Sequence, residues 1–244
     1  MNKFFITERG DVAYQVKATL ERLRGQFSYG DGILIVTKRL DFLAVQELCM
    51  WKKESTIVHS NITGFGGSYI EKGVPPAEVV MEAFYNLKAM GFSEKQMVLR
   101  IDPVIPTERG TDTAMRVLEM CPDFVKRVRI SFIDQYDHMR STMKLPWDSF
   151  HAPTECQEYA LDRILKFTNE RGIKLEACGE PQLSINKGCI SETDYDILGL
   201  QRIGNTRKGQ RNGCMCLSSK TEILVKPNRC PNGCLYCYYR LGGR

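Results

Sequence analysis

Short β-rich runs alternate with amphipathic segments along most of the chain, and that alternation narrows the folds open to it. Strands are expected at 3–7, 33–36, 57–63, 97–102, 128–133 and 173–178. Between them, 11–24 aligns Val16, Leu20 and Leu23 on one helical face and can end at Gly25. The segment 77–90 follows Pro75 and Pro76, turns Val80, Phe84 and Leu87 inward and stops at Gly91. The segment 154–171 groups Cys156, Ala160, Ile164 and Phe167 and stops at Gly172. Strand, helix, strand, repeated about six times, argues for an α/β fold with a parallel sheet and right-handed crossovers.

Such a sheet is either open and doubly wound or a partial or closed β/α barrel of six or seven strands. Polar residues collect where strands end: Thr37, Lys38 and Arg39; Asn61 and Thr63; Arg100 and Asp102; Ser131 and Asp134; Glu176 and Glu180. A barrel brings the carboxyl ends of all its strands to one mouth, whereas a doubly wound sheet concentrates its site at a single switch point. The repeated polar ends favour the barrel. After about residue 200 the chain turns Gly- and Arg-rich and then Cys-rich, so residues 1–205 are expected to form the barrel and 206–244 a metal-built extension of it. A late strand within 221–226 is compatible with that tail, as is a loop.

The chain has 244 residues, 43% hydrophobic and 26% charged, enough for one substantial core. No apolar run approaches the ~20 residues that span a bilayer. The opening MNKFFITERG lacks a secretory signal's apolar stretch, so a cytoplasmic protein with no membrane partner is expected. A net charge of +5 permits an anionic partner without demanding one. Arg202, Arg207, Lys208 and Arg211 share one Gly-rich stretch, readable as a solvated loop or a phosphate-binding patch.

Ten cysteines are many where no disulfide framework is expected, and seven of them lie between Cys178 and Cys237. Cys230, Cys234 and Cys237 form CxxxCxxC on a loop with Pro231 and Gly233. Three thiolates at this spacing can hold three irons of a four-iron four-sulfur cluster and leave the fourth open to a small molecule. A zinc knuckle is the competing reading. Cys178, Cys189, Cys214 and Cys216 make a further set of four, suited to an auxiliary iron–sulfur cluster or a zinc ion. Cys49, Cys121 and Cys156 read as small core residues.

The CxxxCxxC motif with Tyr236 before its last cysteine resembles the signature of the radical S-adenosylmethionine superfamily. The resemblance implies a partial β/α barrel and an external electron donor. It also implies reductive cleavage of S-adenosylmethionine at the cluster, giving a 5′-deoxyadenosyl radical that takes a substrate hydrogen. In that superfamily the motif usually stands near the start of the barrel; here it stands at the end. The chain also resembles an uncharacterised bacterial domain family whose cysteines run CxC then CxxxCxxC at the C-terminus. That likeness extends through TKR, RIDPVIP, ISFIDQY, ACGE, KGCI and QRNGCMC.

Several other residues carry candidate roles. Lys38, Arg39, Asn61, Glu180 and Tyr236 are expected around the cofactor, Lys38 and Arg39 towards its carboxylate or a substrate phosphate, Glu180 towards its amine. Surface cations are the plain alternative for Lys38 and Arg39. Arg100 and Asp102 flank Ile101 and so share a face, as catalytic groups or as a structural ion pair. Asp134 and Tyr136 follow a strand, and Tyr136 suits hydrogen-atom relay, or else is a surface tyrosine. The TGFGG segment at 63–67 lacks GxGxxG spacing and reads first as a flexible loop. His59, His138 and His151 show no ligand spacing. Tyr238, Tyr239 and Arg240 either stack on a nucleobase or pack against the cluster.

Together these features point to a radical S-adenosylmethionine enzyme with a nucleotide or a thymidine-type DNA base as substrate, by analogy with radical enzymes that rearrange or repair such bases. A small metabolite or peptide substrate is the alternative within the same chemistry. A zinc-stabilised nucleic-acid-binding protein is the alternative outside it.

Overall fold

The computed structural model describes residues 3–201, 215–216, 220–225 and 230–238. In order, its elements are β1 (Phe4–Ile6), α1 (Val16–Gln26), β2 (Gly32–Thr37), α2 (Leu43–Met50), β3 (Thr56–Asn61), α3 (Ala77–Ala89) and β4 (Met97–Val104). There follow α4 (Glu108–Glu119), β5 (Arg127–Phe132), α5 (Asp137–Met143), α6 (Thr154–Glu170), β6 (Lys174–Ala177), α7 (Glu192–Ile197) and β7 (Lys220–Glu222). Arg202, Arg207, Lys208, Arg211, Cys214, Tyr239 and Arg240 lie outside the described residues.

The seven strands form one sheet in the order β6-β5-β4-β3-β2-β1-β7. Every pairing is parallel. Strands β1 to β6 follow sequence order without the reversal that defines a doubly wound sheet. Among the described residues no pairing joins β6 to β7, so the sheet has two edges and is not closed by hydrogen bonds. The late strand is present, and it pairs with β1, placing Thr221 opposite Phe5. The tail therefore contributes to the sheet itself.

Alternation along the strands separates two faces. Phe5, Ile33, Ile35, Val58, Leu99, Ile101, Val128 and Ile130 join one core with Leu23, Leu48, Phe84, Val117 and Ile164 of α1, α2, α3, α4 and α6. All five helices lie on that side, as in a β/α barrel. Burying each large apolar side chain contributes about 1.5–3 kcal/mol, so this face carries most of the stability. Phe4, Ile6, Leu34, Ile57 and Val98 point the other way, onto Cys178, Cys189, Ile190, Cys216 and Tyr195 of α7. The second face of the sheet is thus covered by α7 and the segment leading to it.

Charged residues fix that cover. Arg127 donates to Asp194 of α7 at 2.6 Å, and Arg129 pairs with Glu176 of β6. Asp194 also closes a capping box with Ser191 at the start of α7. Burial works against the Asp194 carboxylate, but Arg129 and Arg127 hold its pKa below the ordinary range.

The expected helix at 11–24 divides into a 3-10 turn, Val12–Tyr14, and α1, which continues through Gly25 to Gln26. The division follows from Asp11, whose carboxylate caps Ala13 N at 3.1 Å while also reaching the end of β2. Strand β4 extends past residue 102 to Val104, with a register shift between Ile101 and Val104 around Pro103, which has no N–H to give the ladder. Strand β3 ends at Asn61, short of Thr63.

Candidate cofactor and metal site

A cavity of about 550 Å³ opens at the carboxyl ends of the strands. Thr37 of β2 and Lys38 after it, Asn61 of β3, Arg100 and Asp102 of β4, and Ser131 of β5 line it, with Asp134 and Tyr136 beyond. The loop bearing Cys230, Cys234 and Cys237 forms another wall, and all three cysteines line the same cavity.

The hydrogen bonds of Asn232 explain how a motif at the end of the chain reaches this mouth. Its side chain donates to Asp11 Oδ2 at 2.8 Å and accepts from the Tyr14 hydroxyl at 2.8 Å. Its carbonyl accepts from Gly73 N at 3.0 Å, and Leu235 N donates to Ile70 O at 2.9 Å. Gly73 allows this approach, because a Cβ there would overlap the Pro231 carbonyl oxygen and Asn232 Cα. Asp11 in turn accepts from Thr37 Oγ1 at 2.6 Å and from Lys38 N at 2.9 Å. One buried carboxylate therefore holds the end of β2 and the cysteine loop together.

A second buried carboxylate organises the wall beside it. Glu71 pairs with Lys38 Nζ at 2.8 Å, accepts from Thr63 Oγ1 at 2.8 Å and accepts from the Tyr236 hydroxyl. Lys38 Nζ stands 5.4 Å from the centroid of the Tyr236 ring. Burial opposes the Lys38 charge, but Glu71 and then Cys234 raise its pKa, so it is an ammonium at neutral pH. Burial pushes the Cys234 thiol up to about 12, against the pull of Lys38, and pushes Cys230 upward too. Such thiols give up their protons when a metal cation takes the place.

Arg100 and Asp102 meet across Ile101, Nη2 to Oδ2 at 2.5 Å. Ser131 bonds the other Asp102 oxygen, and Asn61 spans the Asp102 backbone, accepting from its N at 3.1 Å and donating to its O at 2.9 Å. The two residues are an ion pair, and both line the cavity. Asp134 pairs with His151 Nδ1 at 2.9 Å. Tyr136 sits in an aromatic rim, its ring centroid 5.3 Å from Phe150 and 6.2 Å from Tyr238.

Two expected cofactor residues are not among those lining the cavity. Arg39 pairs with Asp41 at 2.9 Å and lies 4.0 Å over Phe42, because the Tyr14 hydroxyl and the Gly73 carbonyl draw its guanidinium to the outer side of the cysteine loop. Glu180 accepts from Phe132 N at 2.7 Å and so terminates β5. His59 is fully buried beside Arg129, 3.4 Å away. Of the core cysteines, Cys49 and Cys121 are buried, while Cys156 is half-buried.

Of the further cysteine set, Cys178, Cys189 and Cys216 come together on the second face of the sheet, while Cys214 lies outside the described residues. Among the described residues, no three cysteine, histidine or acidic side chains already stand close enough to enclose an ion. Asp11, Asn232 and the ion-paired Glu8 and Lys220 also line the cavity, and Glu71 stands behind Lys38; the sequence singled out none of them. The only signal for Asn232 was its place inside CPNGC. Among the described residues no helix is long and apolar enough to cross a membrane.

No curated protein matches the chain. The family model described as a domain of unknown function, DUF1848, matches residues 16–239, and with nearly its whole length inside that match the chain belongs to this family.

Proposed function

We propose that the chain is a radical S-adenosylmethionine enzyme whose substrate, a nucleotide or an extruded thymidine-type base, enters the strand-end cavity. The observation that carries this reading is the docking of the CxxxCxxC loop, through Asn232 on Asp11, against a mouth lined by Lys38, Asn61, Arg100 and Asp102. Three thiols on one tight loop, with no fourth in the motif, suit a four-iron four-sulfur cluster that keeps one iron open. Cys230, Cys234 and Cys237 would hold it, and the chemistry it supplies when bound is one-electron cleavage of the cofactor's sulfonium, which starts hydrogen abstraction from the substrate.

The residues of this chain do the rest of the work. Glu71 fixes Lys38 and Tyr236 beside the loop, so the ammonium faces the cavity without a rotamer search. Asn61 and Ser131 hold Asp102 in one orientation, leaving the Arg100–Asp102 pair as a rigid polar edge for a bound ligand. Tyr136 and Tyr238 supply flat apolar faces at the rim, suited to stacking on a base. A cavity of about 550 Å³ suits a small molecule or a single extruded base, not a duplex.

Anaerobic reconstitution with iron and sulfide, followed by dithionite and S-adenosylmethionine, tests the reading. A brown protein that bleaches on reduction and forms 5′-deoxyadenosine is the expected result. A colourless, zinc-loaded protein that forms none overturns it. The substrate class is read separately: DNA binding that weakens steeply with salt supports the base, and absence of binding at all salt concentrations removes it.

A further inference from the structure

We infer that Cys178, Cys189 and Cys216 form a second, thiolate-ligated metal centre, separate from the CxxxCxxC loop. This goes beyond the proposed activity and rests on observations of its own. The three residues come from the end of β6, the loop before α7 and the residues before β7, yet they share one buried cluster. Cys178 Sγ and Cys189 Sγ are 3.2 Å apart, and Cys189 N donates to Cys216 Sγ at 3.1 Å. The two strands of backbone are in contact: Gly188, at φ +76°, would carry a Cβ 2.5 Å from Cys216 N.

Two of the three sulfurs accept hydrogen bonds from cationic side chains. Arg100 Nη1 donates to Cys189 Sγ at 3.1 Å, and Lys220 Nζ to Cys216 Sγ at 3.5 Å. An isolated core thiol behaves otherwise: Cys121 directs its sulfur as a donor towards the Pro122 and Val125 carbonyls. Amide and cationic donors aimed at sulfur are the surroundings that tune metal-bound thiolates. The nearby cations are already matched by carboxylates and do not supply the missing positive charge. Glu8 pairs with Lys220 and Asp102 with Arg100, so three thiolates placed here need a cation of their own.

The spacing is that of two unbonded thiols and not of a disulfide. The 3.2 Å contact is longer than a disulfide, about 2.05 Å, and short of the roughly 3.8 Å between two thiolates on one tetrahedral ion. Binding an ion here requires the two side chains to rotate apart. The ligand class is a thiophilic cation, zinc or iron, alone or with sulfide. Cys178 and Cys189 also line the strand-end cavity, so the second centre faces the first across it.

The test uses the full chain, produced anaerobically with Cys230→Ala, Cys234→Ala and Cys237→Ala together, so that the first site is removed. Metal and acid-labile sulfide are measured per chain, beside the same background carrying Cys178→Ala or Cys216→Ala. The expected result is retention of about one or more metal ions in the triple variant and a loss of about fivefold or more on either addition. Iron with sulfide identifies a cluster and zinc without sulfide a single ion; both uphold the centre. A metal-free triple variant with native circular dichroism overturns it, as does metal content indifferent to Cys178 and Cys216. A Cys178–Cys189 disulfide in protein kept from air overturns it as well. If an alanine variant fails to fold, Cys178→Ser keeps the size of the side chain and is read by the same metal count. Formation of 5′-deoxyadenosine by the wild type is scored independently, so loss of one reading leaves the other standing.

Discussion

The Asp11 carboxylate accepts a 2.8 Å hydrogen bond from the Asn232 side chain, joining two residues 221 positions apart. The same carboxylate holds Thr37 Oγ1 and Lys38 N, so the cysteine loop and the end of β2 share an anchor. Asp11→Ala leaves several buried donors unsatisfied and should cost about 2–4 kcal/mol in urea unfolding. Asn232→Ala removes only the loop's contacts and should cost about 1 kcal/mol. Its effect should appear instead as a severalfold loss of iron at the first site and of cofactor cleavage. Wild-type iron content in Asn232→Ala would show that the loop is held by something else.

Gly73 makes a sharper probe of the same docking. Its own conformation suits any residue, but a Cβ would meet backbone atoms of Pro231 and Asn232, which cannot rotate away. Gly73→Ala should therefore displace the cysteine loop while the sheet and its helices stay intact. Far-UV circular dichroism should be unchanged, whereas iron bound after reconstitution should fall severalfold in the Cys178→Ala background. A variant that binds iron as the wild type does would contradict the placement of the loop on residues 70–73.

Glu71 and Tyr236 separate charge from hydrogen bonding. Tyr236→Phe removes one donor to Glu71 but leaves Lys38 and Thr63 in place, so a loss of about 1 kcal/mol is expected. Glu71→Gln strands the buried Lys38 ammonium and should cost about 3–5 kcal/mol, the scale for breaking a buried pair. Adding Lys38→Met to Glu71→Gln should recover much of that loss, since the unpaired charge goes with it. Denaturation midpoints of the wild type, Glu71→Gln, Lys38→Met and the double variant give the coupling, and additive effects would refute it.

The outer core was legible because apolar side chains repeat with helical period on α3 and α6, run almost unbroken through β2 and alternate with polar ones through β5. The polar strand ends were legible because Arg100, Asp102 and Ser131 interrupt those runs at a fixed place. Arg39 and Glu180 stand outside the cavity lining for a physical reason. Both follow strand ends, but nearby polar groups hold them: Arg39 pairs with Asp41, and Glu180 accepts from Phe132 N. Asp11, Glu71 and Asn232 were not readable, since each is an ordinary loop residue in sequence. Their importance comes from burial and from partners that only the tertiary fold supplies. The short helix α7 was missed because it is held by Arg127 and Asp194 rather than by an apolar stripe.

His59 gives the interior a pH dependence that can be assigned to one residue. Burial, then the charges of Arg129, Arg100 and Arg127, push its pKa well below the ordinary imidazole value. The native protein therefore keeps His59 neutral at pH values where the unfolded chain binds a proton. By linkage, stability from this source is intact above the unfolded value of about 6.5 and erodes as the pH falls below it. The loss grows to at most about 2 kcal/mol by pH 5, because each pH unit below the unfolded pKa adds about 1.4 kcal/mol. Unfolding free energies in urea at pH 7.5, 6 and 5 should fall in the wild type, with a shallower slope in His59→Gln. The variant will be less stable throughout, since its amide meets the same buried arginines, but the slope is the quantity that decides. Equal slopes in the two proteins would assign the acid sensitivity to other groups.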